Sequence, residues 1–442
     1  MIKNDYFKFL IYLIVLTVIV NGFALIYFYP LIAIPLFFIF LFINVLAGTN
    51  SNKTKNLRLK YCYHGAYLLF LFQISTLISI LYHICLVFFV IPEKWWILIL
   101  SMIFCYLLEF IIFWNGIICV YVTSVQLGLK QRFLGILCGN IPILNLICLN
   151  FILKTVFKEV KFETEKEKIN AERKDSKICE TKYPCLLVHG VFFRDAKHFN
   201  YWGRIPKELE KNGAKIYYGN HESAASVYDS AVELAEKIKE IVSWCGCEKV
   251  NIIAHSKGGL DCRYAISELD IAPYVASLTT INTPHRGCSF ADFLLYKSSE
   301  KLKNKVANTY NSSFKKLGDK KPDFLAAVNN LTQSYCEDFN KRIHTPENIF
   351  CQSVGSKVKK ATSGKFPLNF SYHLVKLFDG ANDGLVSEKS FAWGEKYTFI
   401  ESNGTKGVSH GDMIDLNRRN FDGFDVREFY VNLVNDLKNR GL

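Results

Sequence analysis

Acidic residues are almost missing from the first third of this chain. Before Lys154 there are three, Asp5, Glu93 and Glu109, against nine Lys and Arg, and the stretch is dominated by Leu, Ile, Phe, Val and Tyr. It does not read as an ordinary soluble domain. The chain also lacks any Lys/Arg-rich run with interleaved aromatics and any nucleic-acid motif, which removes nucleic acid as a partner despite a net charge of +13. Of that charge +6 lies before Lys154 and +7 after it, so it is shared, and attraction to anionic lipid headgroups explains its sign. Cysteine is plentiful, but the eight after Lys154 (Cys179, Cys185, Cys245, Cys247, Cys262, Cys288, Cys336 and Cys351) show no short disulfide-scaffold spacing. Free thiols suit a reducing compartment. Cys245 and Cys247 have no His/Cys partner pair nearby, which favours packing over a zinc site.

Four stretches have the length and apolarity to cross a bilayer: Phe9 to Phe28, Leu31 to Leu46, Tyr67 to Ile91 and Trp95 to Val122. The first follows Lys3 and Lys8, yet no small-residue cleavage site comes after it, so it is expected to remain in the mature protein. A fifth stretch, Phe133 to Leu153, is interrupted by Gly135, Gly139, Asn140, Pro142, Asn145 and Asn150 and suits a re-entrant or interfacial segment better than a span. The basic loop Lys53, Lys55, Arg58 and Lys60 places the N-terminus inside. Four crossings then put the downstream domain on the cytoplasmic face; if the fifth segment spans, that domain faces outward. Glu109, with Gln73 and His83 as possible partners, reads as a helix-packing contact or as an intramembrane functional group.

These patterns divide the chain into a membrane domain (1–155), a charged linker (156–181) and a soluble domain (182–442). The linker is dense in mixed charge and is expected to be a solvated helix or tether. Beyond it, β-branched runs alternate with helical patterns: Cys185 to Val188, Lys215 to Tyr218, Val250 to Ile253, Val275 to Ile281, Ile349 to Val354 and Tyr397 to Ile400. That alternation predicts an α/β fold, a mostly parallel sheet with helices on both faces.

The third run leads into Ala254-His255-Ser256-Lys257-Gly258-Gly259, and a helical pattern follows at once. A serine at such a turn takes a strained backbone conformation, and residues two before and two after it must be small. Ala254 and Gly258 meet that need. The pentapeptide alone is cheap by chance. The first run ends in His189-Gly190-Val191-Phe192, whose turn is placed to present the Val191 N–H beside that of Lys257 as an oxyanion hole.

With these residues the segment from about Tyr183 to Asp415 resembles the bacterial triacylglycerol lipases. They share an HG turn after the first strand and a [GA]-H-S-x-G-G elbow. Thr280-Ile281-Asn282-Thr283-Pro284-His285-Arg286-Gly287 is similar to their strand-loop after the elbow helix, and Asn382-Asp383-Gly384-Leu385-Val386 to their catalytic-acid loop. Ala254 departs from the commoner Gly, and Asn282 stands where the family often has Gly. The resemblance implies an α/β-hydrolase fold, here preceded by an all-α transmembrane domain, and a serine carboxylic-ester hydrolase.

It further implies a triad of Ser256 as nucleophile, Asp383 as acid, with Asp379 as rival, and His410, the only histidine beyond the acid, as base. His189, Gly190, Ala254, His255 and Gly258 then support the elbow. Some relatives hold a structural calcium near the histidine, and Asp412 occupies a position resembling one ligand; no cofactor is otherwise required. Residues 290–343 form a helical insertion that suits either a mobile lid or a packing cap. The expected partners are a lipid or other acyl ester and the bilayer, with the oligomeric state left open. The alternatives are a thioesterase, phospholipase or acyltransferase using the same triad, or a membrane receptor or transport component with a degenerate hydrolase domain.

Overall fold

The computed structural model describes the chain apart from residues 1–2, 50–53, 90–93, 140, 142–143, 192–199, 298, 318–321 and 362–367. Glu93, Asn140, Pro142 and Phe192 therefore lie outside the described residues. By its contacts the chain divides into Met1–Ala171 and Glu172–Leu442.

The first unit is helical: α1 (Lys3–Val20), α2 (Phe23–Phe28), α3 (Ala33–Leu46), α4 (Leu57–Phe89), α5 (Trp95–Thr123), α6 (Leu129–Cys138) and α7 (Leu144–Glu172). Two of the four expected crossings are single helices of crossing length, Leu57–Phe88 with 32 residues and Trp95–Thr123 with 29. The other two are shorter. A turn at Asn21 and Gly22 splits the first stretch into α1 and α2, and the second is the 14-residue α3. A core helix of a soluble protein would be mostly buried, but the most apolar windows of the two long helices are only 28% and 22% buried. Large side chains such as Leu81, Phe88, Tyr106 and Val122 stand exposed on them.

The fifth stretch breaks between α6 and α7, so it is not one spanning helix. Its second half continues through the charged segment to Glu172. By contacts, the charged segment as far as Ala171 groups with the first unit. Glu159 gives the reason, since its carboxylate accepts from Arg58 Nη1 and Ser124 Oγ, each at 2.6 Å, and from the backbone N–H of Val125 and Gln126. Four donors thus hold this part of α7 in the first unit. Glu109 accepts from Ser75 Oγ at 2.6 Å, whereas Gln73 donates to the Leu146 carbonyl and His83 meets Ser79 and Ser101. The serine two positions beyond Gln73 is the partner.

The second unit is built on six parallel strands: β1 (Cys185–Val188), β2 (Ile216–Tyr218), β3 (Val250–His255), β4 (Val275–Ile281), β5 (Phe350–Ser356) and β6 (Lys396–Ile400), in the order β2-β1-β3-β4-β5-β6. β1, β3 and β4 are buried along their whole length, as continuous apolar runs require when helices cover both faces. The helices are α8 (Ile205–Lys211), α9 (Val227–Cys245), α10 (Gly258–Glu268), α11 (Ser289–Asp292), α12 (Glu300–Leu317), α13 (Phe324–Asn329), α14 (Gln333–Arg342), α15 (Leu368–Asp379) and α16 (Val426–Asn439).

Two core layers result. One packs α8 and α16 on the sheet through Trp202, Leu209, Val431, Val434 and Leu437, and the other packs α9 and α10 through Leu234, Ile238, Cys262 and Ile266. α9 starts where Ser226 accepts from the Asp229 N–H and stops where Gly246 turns left-handed at φ 63°. The insertion between β4 and β5 is helical (α11 to α14), as its lack of strand period predicts. α15, between β5 and Asp383, has no counterpart in the sequence reading.

Candidate active site

In an open parallel sheet the carboxyl ends of the strands, where the order reverses, are the place for a site. β3 ends there in His255, and Ser256 follows with φ 56°, a left-handed value that costs a non-glycine residue energy and persists only where the surroundings enforce it. They do so at both ends, because Ser256 N–H donates to the Ile281 carbonyl at 2.9 Å and its own carbonyl accepts from Thr283 Oγ1 at 2.7 Å. α10 then starts at Gly258 and carries the chain away.

The small residues around the turn are small for a steric reason. A Cβ on Gly258 would strike the His189 carbonyl oxygen, and a Cβ on Gly190 would lie 2.6 Å from Ser256 Cβ and 3.2 Å from its Oγ. β1 therefore delivers Gly190 directly against the serine. Among the described residues neither Val191 nor Lys257 donates its backbone N–H to an internal acceptor. Both N–H groups are therefore free among the described residues, one on the residue after Gly190 and one on the residue after Ser256.

Asp383 is fully buried after the turn that follows α15, and four donors converge on its carboxyl group. Oδ1 accepts from the N–H of Leu385 and Val386 at 2.9 and 2.8 Å; Oδ2 accepts from Asn282 Nδ2 at 2.5 Å and His410 Nδ1 at 2.6 Å. His410 N–H also donates to the Asp383 carbonyl at 2.9 Å. Since the carboxylate is the acceptor, Nδ1 carries the proton and Nε2, which has no partner among the described residues, is the basic nitrogen. The rival Asp379 points elsewhere and accepts from the N–H and Oγ of Ser289 at the start of α11.

The remaining residues singled out in the sequence form a buried support. His255 Nδ1 is 2.7 Å from Tyr201 Oη, which also accepts from Gly190 N–H at 3.1 Å, and the His255 ring centroid lies 4.4 Å from that of His410. Burial, with His410 alongside, holds the His255 imidazole well below its usual range and hence neutral. His189 stacks on His221 at 4.0 Å. Ala254 is buried in β3.

Two roles were missed in the sequence. Asn282 was noted only as a departure, yet its φ of 48° explains why glycine suits the position, and its amide donates to Asp383 and to Ser356 Oγ. Lys257 carries a buried ammonium, 2.7 Å from Asp261 Oδ1 and 3.0 Å from Ser230 Oγ. Burial raises the Asp261 carboxyl to about 6, with Lys257 pulling the other way. The i, i+4 spacing of Lys257 and Asp261 on α10 was the signal available.

The residues near His410 do not fit the calcium that the resemblance brings with it. Asp412 Oδ2 accepts from Ser409 N–H and Oγ at 3.0 and 2.7 Å. Asp415 is taken by Arg204, through Nε at 2.7 Å, Nη2 at 2.8 Å and its backbone N–H at 2.8 Å. Among the described residues no three His, Cys, Asp or Glu side chains gather where they could hold a metal ion.

Residues 185–343 match the family described as "Putative serine esterase (DUF676)". A triacylglycerol lipase of Pseudarthrobacter phenanthrenivorans is 35% identical over 174 residues, 36% of this chain and 54% of the relative, and one of Burkholderia plantarii is 35% identical over 174 residues, 48% of the relative. Triacylglycerol lipase 2 of Saccharomyces cerevisiae is 29% identical over 294 residues, 62% of this chain and 80% of the relative. The chain thus spans about half the length of the first two of these curated relatives. Among solved structures, a mature lipase of Bacillus licheniformis overlaps 57% of this chain and 92% of its own at 24% identity and a TM-score of 0.43.

Proposed function

We propose that the chain is a membrane-anchored serine hydrolase of the α/β-hydrolase lipases and esterases that cleaves carboxylic esters of acyl lipids, a reading supported by the serine esterase match over residues 185–343 and by the lipase relatives. The observation that carries the reading is the left-handed Ser256, seated against Gly190 at the β3–α10 turn. No packing requirement of the sheet needs a serine there. A nucleophile does.

Ser256 Oγ attacks the ester carbonyl while His410 Nε2 takes its proton, and Asp383 stabilises the imidazolium through Nδ1. The N–H groups of Val191 and Lys257 receive the developing oxyanion. Collapse of the tetrahedral intermediate expels the alcohol, protonated by His410, and leaves an acyl-Ser256. Water, deprotonated by the same histidine, releases the acid. Acyl lipid as the substrate class is supported by the names of the relatives and by the exposed apolar faces of α4 and α5, whose length suits a bilayer. The fourteen cysteines, all free, favour the cytoplasmic side for the second unit.

The test is Ser256→Ala, which should abolish hydrolysis of p-nitrophenyl butyrate and labelling by a fluorophosphonate while leaving the melting temperature in place. Retained turnover would sink the assignment. A lipid-extract panel then defines the ester, and an impermeant thiol reagent on intact cells reports the side: ready labelling of Cys245 or Cys247 would overturn the cytoplasmic placement.

A further inference from the structure

Arg263, on α10, is only 3% exposed, yet no carboxylate pairs with it among the described residues. Its guanidinium lies between the rings of Phe339 and Trp393, each centroid 4.9 Å away, and Nη1 donates to His285 Nδ1 at 3.1 Å. His285 can accept because burial, with Arg263 and Arg286 nearby, holds it well below its usual range and neutral; its Nε2 then donates to Thr280 Oγ1 at 2.9 Å. Arg263 Nε is buried without a partner. Ring stacking offsets part of the cost of burying a lone cation. The remainder is visible as a guanidinium that burial pushes down to about 10.

This arginine lines a cavity of about 750 Å³ that none of Ser256, Asp383 and His410 touches. Arg286 and His344 add donors to its wall, and Ile343, Ile349 and Trp393 add apolar surface. Glu347 and Glu395 lie on the same wall, and both are exposed. The balance is a buried cation wanting an anion, an apolar bed, and two carboxylates that repel any ligand of higher negative charge. We propose that the cavity is a second ligand site, which takes an organic monocarboxylate with its carboxylate on Arg263 and its hydrocarbon body against Ile343, Ile349 and Trp393. The site depends on nothing at Ser256, so it stands or falls apart from the hydrolase chemistry.

The full chain in detergent is titrated with butyrate and with inorganic phosphate, each against sodium chloride at matched ionic strength, by calorimetry and by melting temperature. Butyrate should bind saturably and raise the melting temperature. Arg263→Met should remove both effects, and Arg286→Ser, on the exposed wall, should weaken binding about tenfold, the loss of one charge-assisted contact. Butyrate effects matched by chloride, or undiminished in Arg263→Met, would overturn the site; phosphate binding as tightly as butyrate would overturn the monocarboxylate. Should Arg263→Met show no cooperative melt, Arg286→Ser decides alone, and an unchanged butyrate affinity there rejects the proposal.

Discussion

Asn282 Nδ2 lies 2.5 Å from Asp383 Oδ2, the same oxygen that His410 Nδ1 approaches at 2.6 Å. The amide fixes the carboxylate that fixes the histidine. Asn282→Gly keeps the left-handed backbone at no steric cost but deletes the donor, and losing one bond to a charged group costs about 1.5–3 kcal/mol. A fall in kcat of about 10- to 100-fold is expected, together with a drop of several degrees in melting temperature. Steady-state kinetics with a soluble ester check it, and an unchanged kcat would leave the amide a bystander.

Much of the site was legible because its chemistry is local. Ala254-x-Ser256-x-Gly258 sits between a buried strand and a helix, and His410 is the only histidine after Asp383. What escaped is carried by contacts distant in the chain. Asn282 and Asp383 are 101 positions apart, and Arg263 gains its meaning from Phe339 and Trp393, which periodicity cannot bring together. α15 escaped because its short amphipathic run carries none of the motif residues that mark the site. The break at Asn21-Gly22 was missed because the apolar run continues through it unchanged.

The buried pair Lys257 and Asp261 spans the first helical turn after the nucleophile, each side chain 1% exposed. Removing one partner strands the other, at a cost of about 3–5 kcal/mol, whereas apolar replacement of both is nearly neutral. Lys257→Met or Asp261→Leu should therefore lower unfolding free energy by that amount, and the two together by clearly less. The folded Lys257→Met variant keeps its backbone N–H and should keep its kcat within a few-fold. Urea titration and kinetics on the four proteins give the cycle.

Stability should depend on pH with two opposing signs. His255 and His285 are held neutral well below the ordinary 6.5. The unfolded chain thus takes up protons below that pH while the fold does not, and stability, complete above 6.5, falls on acidification by about 1.4 kcal/mol per pH unit per histidine. Asp261, raised to about 6 from 3.8, works in reverse, because the fold keeps a proton that the unfolded chain releases between those values. His285→Gln should flatten the acid loss and Asp261→Asn should steepen it, read as unfolding free energy between pH 7 and 5.

Excess EDTA should leave the melting temperature unchanged. The loop after His410 is tied by Arg204 to Asp415 and Asn420 and by Asp412 to Ser409. The guanidinium supplies the positive charge that a metal would bring. A drop in the melting temperature that calcium restores would show that Asp412 is a ligand after all.

α15 exposes Leu377 (78%) and Phe378 (42%), and Phe293 of the insertion packs on Phe378 with ring centroids 5.3 Å apart. The helix is joined to the acid loop, since Ser371 Oγ donates to the Gly384 carbonyl at 2.6 Å. Burying one such side chain in lipid contributes about 1.5–3 kcal/mol, so exposure of both suits a surface that meets aggregated substrate beside the site. Leu377→Glu with Phe378→Glu should lower hydrolysis of emulsified long-chain esters about tenfold or more and leave p-nitrophenyl butyrate turnover intact. If both activities fall together, α15 acts by holding the Asp383 loop and not by meeting lipid.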